Sequence, residues 1–197
     1  MSELWENPAI LGELAEVLDL LEDRADHLAP PLAETTGWGH PVPLTVHSRY
    51  SRDDVLAAFG LLSGSRPHAI REGVKFDSIS GTDLFFVTLE KSEQHYSPST
   101  LYRDYAISPS LFHWESQSQL TQRARTAQRY IHHRENGTHV LMFVRQHRRL
   151  GGRAQPYFCL GPAEYVRHSG ERPIAFVWRL LRPMPADLFR ETKVATA

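Results

Sequence analysis

From Gly73 onward, turn signals cut the apolar pattern into short pieces, and this punctuation limits the fold more than any other feature of the chain. Residues 74–76 and 84–89 stand on either side of Ser80-Gly81, and residues 101–107 and 111–114 are set off by Pro98 and Pro109. Residues 138–144 and 157–160 flank Gly151-Gly152, and residues 174–181 form a further apolar stretch. Each piece has strand length and is too short for an amphipathic helix. Gly151-Gly152 is the best hairpin signal, because the tight turns that join twisted strands need positive φ.

Helical pattern is confined to other places. Asn7-Pro8 reads as an N-cap followed by proline at the first helical position. Ile10, Leu11, Leu14, Val17, Leu18 and Leu21 then recur at three- and four-residue steps, which predicts an amphipathic helix to about His27. Residues 29–43 carry Pro30, Pro31, Pro41 and Pro43 and read as a linker. Ser51 with Asp54 resembles a capping box and opens a helix over 53–62. Residues 120–133 are polar and weakly helical, and Pro185 starts a short closing helix through Phe189. The pattern predicts an α+β fold. A strongly bent mixed or antiparallel sheet, or a partial β-barrel, would carry a few short helices and an N-terminal amphipathic helix. Residues 1–35 form an acidic helical extension with the start of the linker, and residues 36–197 form the α+β domain.

The formal net charge of −1 hides a strong polarity. Residues 1–35 hold nine acids and Arg24, for −8, whereas residues 122–182 hold twelve arginines and three acids, for +9. Residues 36–121 sum to −2 and the last fifteen residues to zero. Two opposed fields therefore share one chain. The basic segment has no lysine, and arginine favours bidentate phosphate and base contacts. A solvated basic face, or one that docks the acidic helix, explains the same charges. No apolar run approaches the roughly 18 residues that a membrane span needs. No basic segment followed by an apolar one marks a secretory leader. The single Cys159 excludes an internal disulfide, so the cytoplasm is the default compartment.

Catalytic signatures are weak. Eleven histidines invite a metal site, yet His132 and His133 are adjacent and point different ways, and one cysteine supplies no zinc pair. His47-Ser48-Arg49 with Asp54 mimics a phospholipase-D nuclease spacing without a second copy. Asp83 with Glu90-Lys91 mimics a metal-dependent nuclease core, but adjacent residues do not share a strand face. No Gly-rich phosphate loop occurs, and neither a cofactor nor a metal is expected. Tyr96, Tyr102, Tyr105, Phe112, His113 and Trp114 are interleaved with Ser116, Gln117, Ser118 and Gln119. Rings stack on bases and amides read base edges, so this stretch is either a recognition pocket or plain strand packing.

Several longer segments are distinctive: Arg71-Glu72-Gly73-Val74, Thr82-Asp83-Leu84-Phe85-Phe86-Val87-Thr88-Leu89 and Tyr102-Arg103-Asp104-Tyr105. So are Leu111-Phe112-His113-Trp114-Glu115-Ser116, Arg129-Tyr130-Ile131, Phe158-Cys159-Leu160-Gly161 and Trp178-Arg179-Leu180. Together they resemble an uncharacterised bacterial domain found at the C-terminus of DEAD/DEAH-type helicases, which often carry a phospholipase-D-like nuclease domain. The resemblance covers nearly the whole chain. It implies DNA processing, plausible in restriction or phage defence, and it marks residues 36–197 as a helicase-associated accessory domain. The chain carries no Walker motif, so strand separation and cutting do not transfer.

These observations lead to a non-catalytic DNA-binding module that reads a DNA feature, such as a modified base, for a helicase or nuclease partner. Arg145, Arg148, Arg149 and Arg153 on the hairpin, with Arg129 and Lys91, would contact DNA. Tyr102, Asp104, Tyr105, His113, Trp114, Ser116 and Gln117 would line the recognition pocket. Two alternatives remain: a protein-interaction module that docks a helicase body through the acidic helix, and a metal-dependent nuclease built on His113, Glu115 and Asp104.

Overall fold

The computed structural model describes residues 7–24, 43–62, 73–89 and 104–192. The chain divides into two compact units, Met1–Pro30 and Pro31–Ala197. The first holds helix α1 (Pro8–Arg24), and Asn7 Oδ1 accepts the Ile10 N–H at its start. Within this unit Ile10, Leu14, Val17 and Leu18 are exposed, so the apolar stripe is present and uncovered. Among the described residues no helix is long and apolar enough to cross a membrane.

The second unit is an α+β domain built on an eight-stranded mixed sheet. Its strands are β1 (Arg49–Tyr50), β2 (Val74–Asp77), β3 (Thr82–Thr88), β4 (Tyr105–Ser108), β5 (Leu111–Glu115), β6 (His139–Arg145), β9 (Tyr157–Ser169) and β10 (Ala175–Leu180). A separate two-stranded ribbon pairs β7 (Arg149–Leu150) with β8 (Arg153–Ala154). Three short helices complete the unit: α2 (Arg52–Ala58), α3 (Arg125–Ile131) and α4 (Ala186–Thr192). The strand order is β2-β3-β6-β9-β10-β5-β4, with β1 on β9. Among the described residues the sheet is not closed into a barrel, and β2 and β4 stand at the two ends of that path. Strands β3 and β6 run parallel and the other pairs antiparallel, so the sheet is mixed.

Local chemistry explains the elements. At α2 the Ser51 hydroxyl accepts the Asp54 N–H (3.1 Å) and the Asp54 carboxylate accepts the Ser51 N–H (2.8 Å), which completes the capping box. The helix ends at Ala58, earlier than its sequence pattern, and Gly60 follows in the left-handed region. Between β2 and β3 the Asp77 carboxylate accepts the N–H groups of Ile79 and Ser80, and Gly81 supplies positive φ. Strand β3 is buried along its whole length, because both of its faces are covered. Phe85 and Val87 enter the main core, while Phe86 packs on Phe143 and Tyr157 on the other face.

The main core is aromatic. Phe85 lies 4.4 Å from Trp114, 5.1 Å from Tyr130 and 5.5 Å from Trp178, measured between ring centroids. Such offset and edge-on pairs add about 0.5–1.5 kcal/mol each beyond the area they bury. They tie β3, β5, α3 and β10 together around one point.

Strand β9 is the largest departure from the sequence pattern. Gly161-Pro162 reads as a stop after Leu160, yet the strand runs through it for 13 residues. A register shift opposite Met142 and Phe143 takes up one extra residue, and Gly161 sits at φ +84°. A side-chain carbon at Gly161 would lie 3.0 Å from a Val46 methyl, so both the backbone and the packing call for glycine. Strand β9 pairs with β1 and β6 as far as Pro162, and with β10 from Ala163 onward.

Candidate nucleic-acid interface

The β7–β8 ribbon lies in the chain between the end of β6 and the start of β9 and pairs as a sheet of its own. Gly151 (φ +58°) and Gly152 (φ +78°) form its turn, the backbone signature of a two-residue type I′ hairpin. Arg148, Arg149, Leu150 and Arg153 are all exposed on it. Among the described residues no acid forms an ion pair with Arg148, Arg149 or Arg153.

Arg145 stands at the base of the ribbon and is held from three sides. Its Nε donates to Thr88 Oγ1 (3.0 Å) and its Nη1 to the Gln155 carbonyl (3.1 Å). The guanidinium lies 4.2 Å from the centroid of the buried Tyr157 ring. Arg145 therefore fixes the foot of the ribbon on β3 and β9, and its position differs in kind from that of the exposed arginines beyond it.

Arg129 is half-buried and its guanidinium is committed to a partner within the fold. Its Nε donates to Asp83 Oδ2 (2.7 Å) and its Nη2 to Asp83 Oδ1 (2.8 Å), and its guanidinium lies 3.9 Å from the Phe76 ring centroid. The physical reason is the Asp83 carboxylate on β3, whose side chain is 1% exposed and needs a cation. Burial lifts the Asp83 carboxyl above its ordinary range, against the opposing pull of Arg129. The same bidentate bond raises Arg129 further, so the guanidinium stays charged. Lys91 and Tyr102 lie outside the described residues, as does the Glu90 of the nuclease-like spacing.

Among the described residues, the side chains expected to line the pocket divide between the two faces of the sheet. Along β5 the burial alternates, with Phe112 and Trp114 inward and Leu111, His113 and Glu115 outward. Trp114 is a core residue packed on Phe85, Tyr130 and Phe176. Ser116 is fully buried, and its hydroxyl accepts the Ile174 N–H (2.9 Å). Asp104 is buried and accepts the Glu115 N–H (2.9 Å), which holds the end of β5. These three side chains serve the fold, while Gln117 lies half-buried just beyond the strand.

Tyr105 and His113 do come together. They are direct cross-strand partners on β4 and β5, with rings stacked 4.6 Å apart at 16°. His113 is paired in register with Val177 on β10, and Val177 with Arg167 on β9. The outward face of this half of the sheet thus carries a row of Tyr105, His113, Val177 and Arg167. Arg167, which no sequence signal singles out, is exposed at the end of that row. Beside α3, an open groove of about 650 Å³ is lined by Arg125, Gln128, Arg129, His132, Asn136 and Thr138. Arg134 and Arg179 are paired with Glu164 at 3.2 and 3.9 Å.

Two further titratable groups, His133 and Cys159, are buried in the fold. His133 Nδ1 faces the Thr138 carbonyl (3.3 Å), and its Nε2 accepts the Tyr165 N–H (3.0 Å). A carbonyl only accepts, so the proton sits on Nδ1 and the ring is neutral. Desolvation by burial lowers the His133 pKa, and the Thr138 bond partly offsets it. Burial pushes the Cys159 thiol up to about 12, so it is no nucleophile at neutral pH. Among the described residues no group of three or more His, Cys, Asp or Glu side chains is arranged to hold a metal.

A family model described as Domain of unknown function (DUF3427) matches residues 44–192, which span the sheet and its helices. No curated protein matches the chain.

Proposed function

The chain belongs to the DUF3427 family, a domain of unknown function, and we propose that it is a non-catalytic DNA-binding accessory module. The observation that carries this reading is the β7–β8 ribbon, with Arg148, Arg149 and Arg153 exposed and no acid in the described residues to pair with them. Elsewhere in the basic half, Arg129, Arg134 and Arg179 have carboxylate partners. Exposed arginines without an acid partner among the described residues suit phosphates, which they contact bidentately. The Tyr105–His113 stack is the surface on which a base, or a modification on it, would be read. The module acts in the bacterial cytoplasm beside a helicase or nuclease, in restriction or phage defence.

The test is a gel-shift series on plain and cytosine-modified duplexes. Binding at about 50 mM salt that weakens steeply as salt rises is expected, because neutralised phosphates release counterions. Joint replacement of Arg148, Arg149 and Arg153 by alanine should reduce binding to all duplexes and flatten the salt slope by about 3. Replacing Tyr105 and His113 should narrow the difference between modified and plain duplexes. No binding to any duplex at low salt overturns the reading.

One observation favours a second reading. The apolar stripe of α1 (Ile10, Leu14, Val17, Leu18) is exposed within its own unit, which suits docking to a helicase or nuclease body. Co-purification that depends on α1, without DNA protection, would favour it.

A further inference from the structure

We propose that the β7–β8 ribbon is a wedge whose Leu150 side chain inserts between stacked base pairs, prising one step apart while the flanking arginines hold the phosphates. This inference rests on the DNA-binding reading above and adds to it a distortion of the bound duplex.

The argument begins with Leu150, which is 61% exposed at the edge of the Gly-Gly turn. An exposed leucine is ordinary in isolation. This one sits at the end of an exposed ribbon, between Arg149 and the side-chain-free Gly151-Gly152. Leu150 is the direct cross-strand partner of Arg153, so these two side chains leave the same face of the ribbon. Arg149, paired with Ala154, leaves the opposite face. An apolar tip thus has a cation beside it and another behind it. Proteins that bend duplex DNA combine an inserted apolar side chain with arginines that hold the adjoining backbone.

The two glycines make the approach possible. Neither has any atom within 4 Å of the place its Cβ would take, and neither presents a side chain ahead of Leu150. The foot of the ribbon is fixed, since Arg145 is bonded to Thr88 and Gln155 and lies over Tyr157. The chain runs from β6 into the ribbon and from the ribbon into β9, so a push on its tip passes to those two strands. An anionic lipid surface would also attract arginines beside a leucine, but one leucine offers too little apolar area to anchor a protein there.

The experiment uses the full chain and a duplex carrying 2-aminopurine, whose fluorescence rises when its stacking is lost. Protein is added to saturation at about 50 mM salt. A rise of several-fold is expected with the wild type. Leu150→Ala should bind within about 5-fold of the wild-type affinity and lose most of that rise. Leu150→Phe should keep it. The triple arginine variant should lose affinity by at least about 10-fold. A Leu150→Ala complex that keeps the full rise at saturation overturns the wedge and leaves DNA binding intact. A wild type that binds but gives no rise at any labelled position does the same. A wild type that binds no duplex overturns both. Leu150-dependent sedimentation with phosphatidylserine vesicles, without unstacking of DNA, assigns the tip to lipid and overturns the wedge.

Discussion

Arginine does opposite work in two regions of this molecule. On α3, Arg129 is spent inward: both of its bonding edges meet Asp83, and its flat face lies on Phe76. On the β7–β8 ribbon, Arg148, Arg149 and Arg153 face solvent without an acid partner among the described residues. The difference comes from what each backbone position brings near. Strand β3 carries a carboxylate into the core, and a buried carboxylate without a cation is costly. The ribbon pairs only β7 with β8, and its residues 148–154 are exposed. A segment total of +9 therefore overstates the charge available to a ligand, and the surface share is what a phosphate would feel.

That contrast can be broken from either side. The largest effect belongs to the core that surrounds the inward arginine. Trp114→Ala should destabilise the domain by about 3–5 kcal/mol in chemical denaturation, since it empties a buried aromatic site. A folded variant of unchanged stability would return Trp114 to the surface. Next comes Arg129→Ala, which strands the Asp83 carboxylate and should cost about 3 kcal/mol. Replacing both residues by apolar ones should recover part of that loss. If Arg129→Ala instead lowers DNA affinity with stability intact, the two arginine regions are alike after all.

A smaller effect concerns pH. The native fold holds His133 neutral with its pKa below the ordinary 6.5, so as pH falls the unfolded chain takes up a proton first. Stability should drop below about pH 6.5 and stop dropping once the folded His133 is itself protonated. The denaturation gap between wild type and His133→Gln should shrink from pH 7.5 to pH 5.5, and a constant gap would refute the assignment. The smallest effect is on the ribbon. Joint replacement of Arg148, Arg149 and Arg153 by alanine should change stability by less than about 0.5 kcal/mol. A large loss there would mean that the ribbon arginines also serve the fold.

Local chemistry made much of the fold legible. The Ser51–Asp54 box, the Ser80-Gly81 turn and the Gly151-Gly152 hairpin all rest on residues close in sequence, and all three form. Strand β9 was half legible. Glycine and proline side by side usually end a strand, but here the left-handed Gly161 takes up a bulge and the ladder passes to a new neighbour. The Arg129–Asp83 pair was hidden because its partners are 46 residues apart. The scattering of the aromatic stretch was open to view, since adjacent His113 and Trp114 on a strand must face opposite ways. Composition drew attention to the cluster, and alternation divided it. Arg167 became visible only through register, because its place beside Val177 adjoins a register shift within the β9–β10 pair itself.

The change of partners along β9 has a consequence for how the domain comes apart. In the hydrogen-bonded path of the sheet, β9 is the strand that joins β2-β3-β6 to β10-β5-β4. Neither group can detach without stripping one edge of the same strand. Native-state hydrogen exchange should therefore find the β9 amides among the last to open, with protection on both sides of Gly161 failing in a single cooperative event.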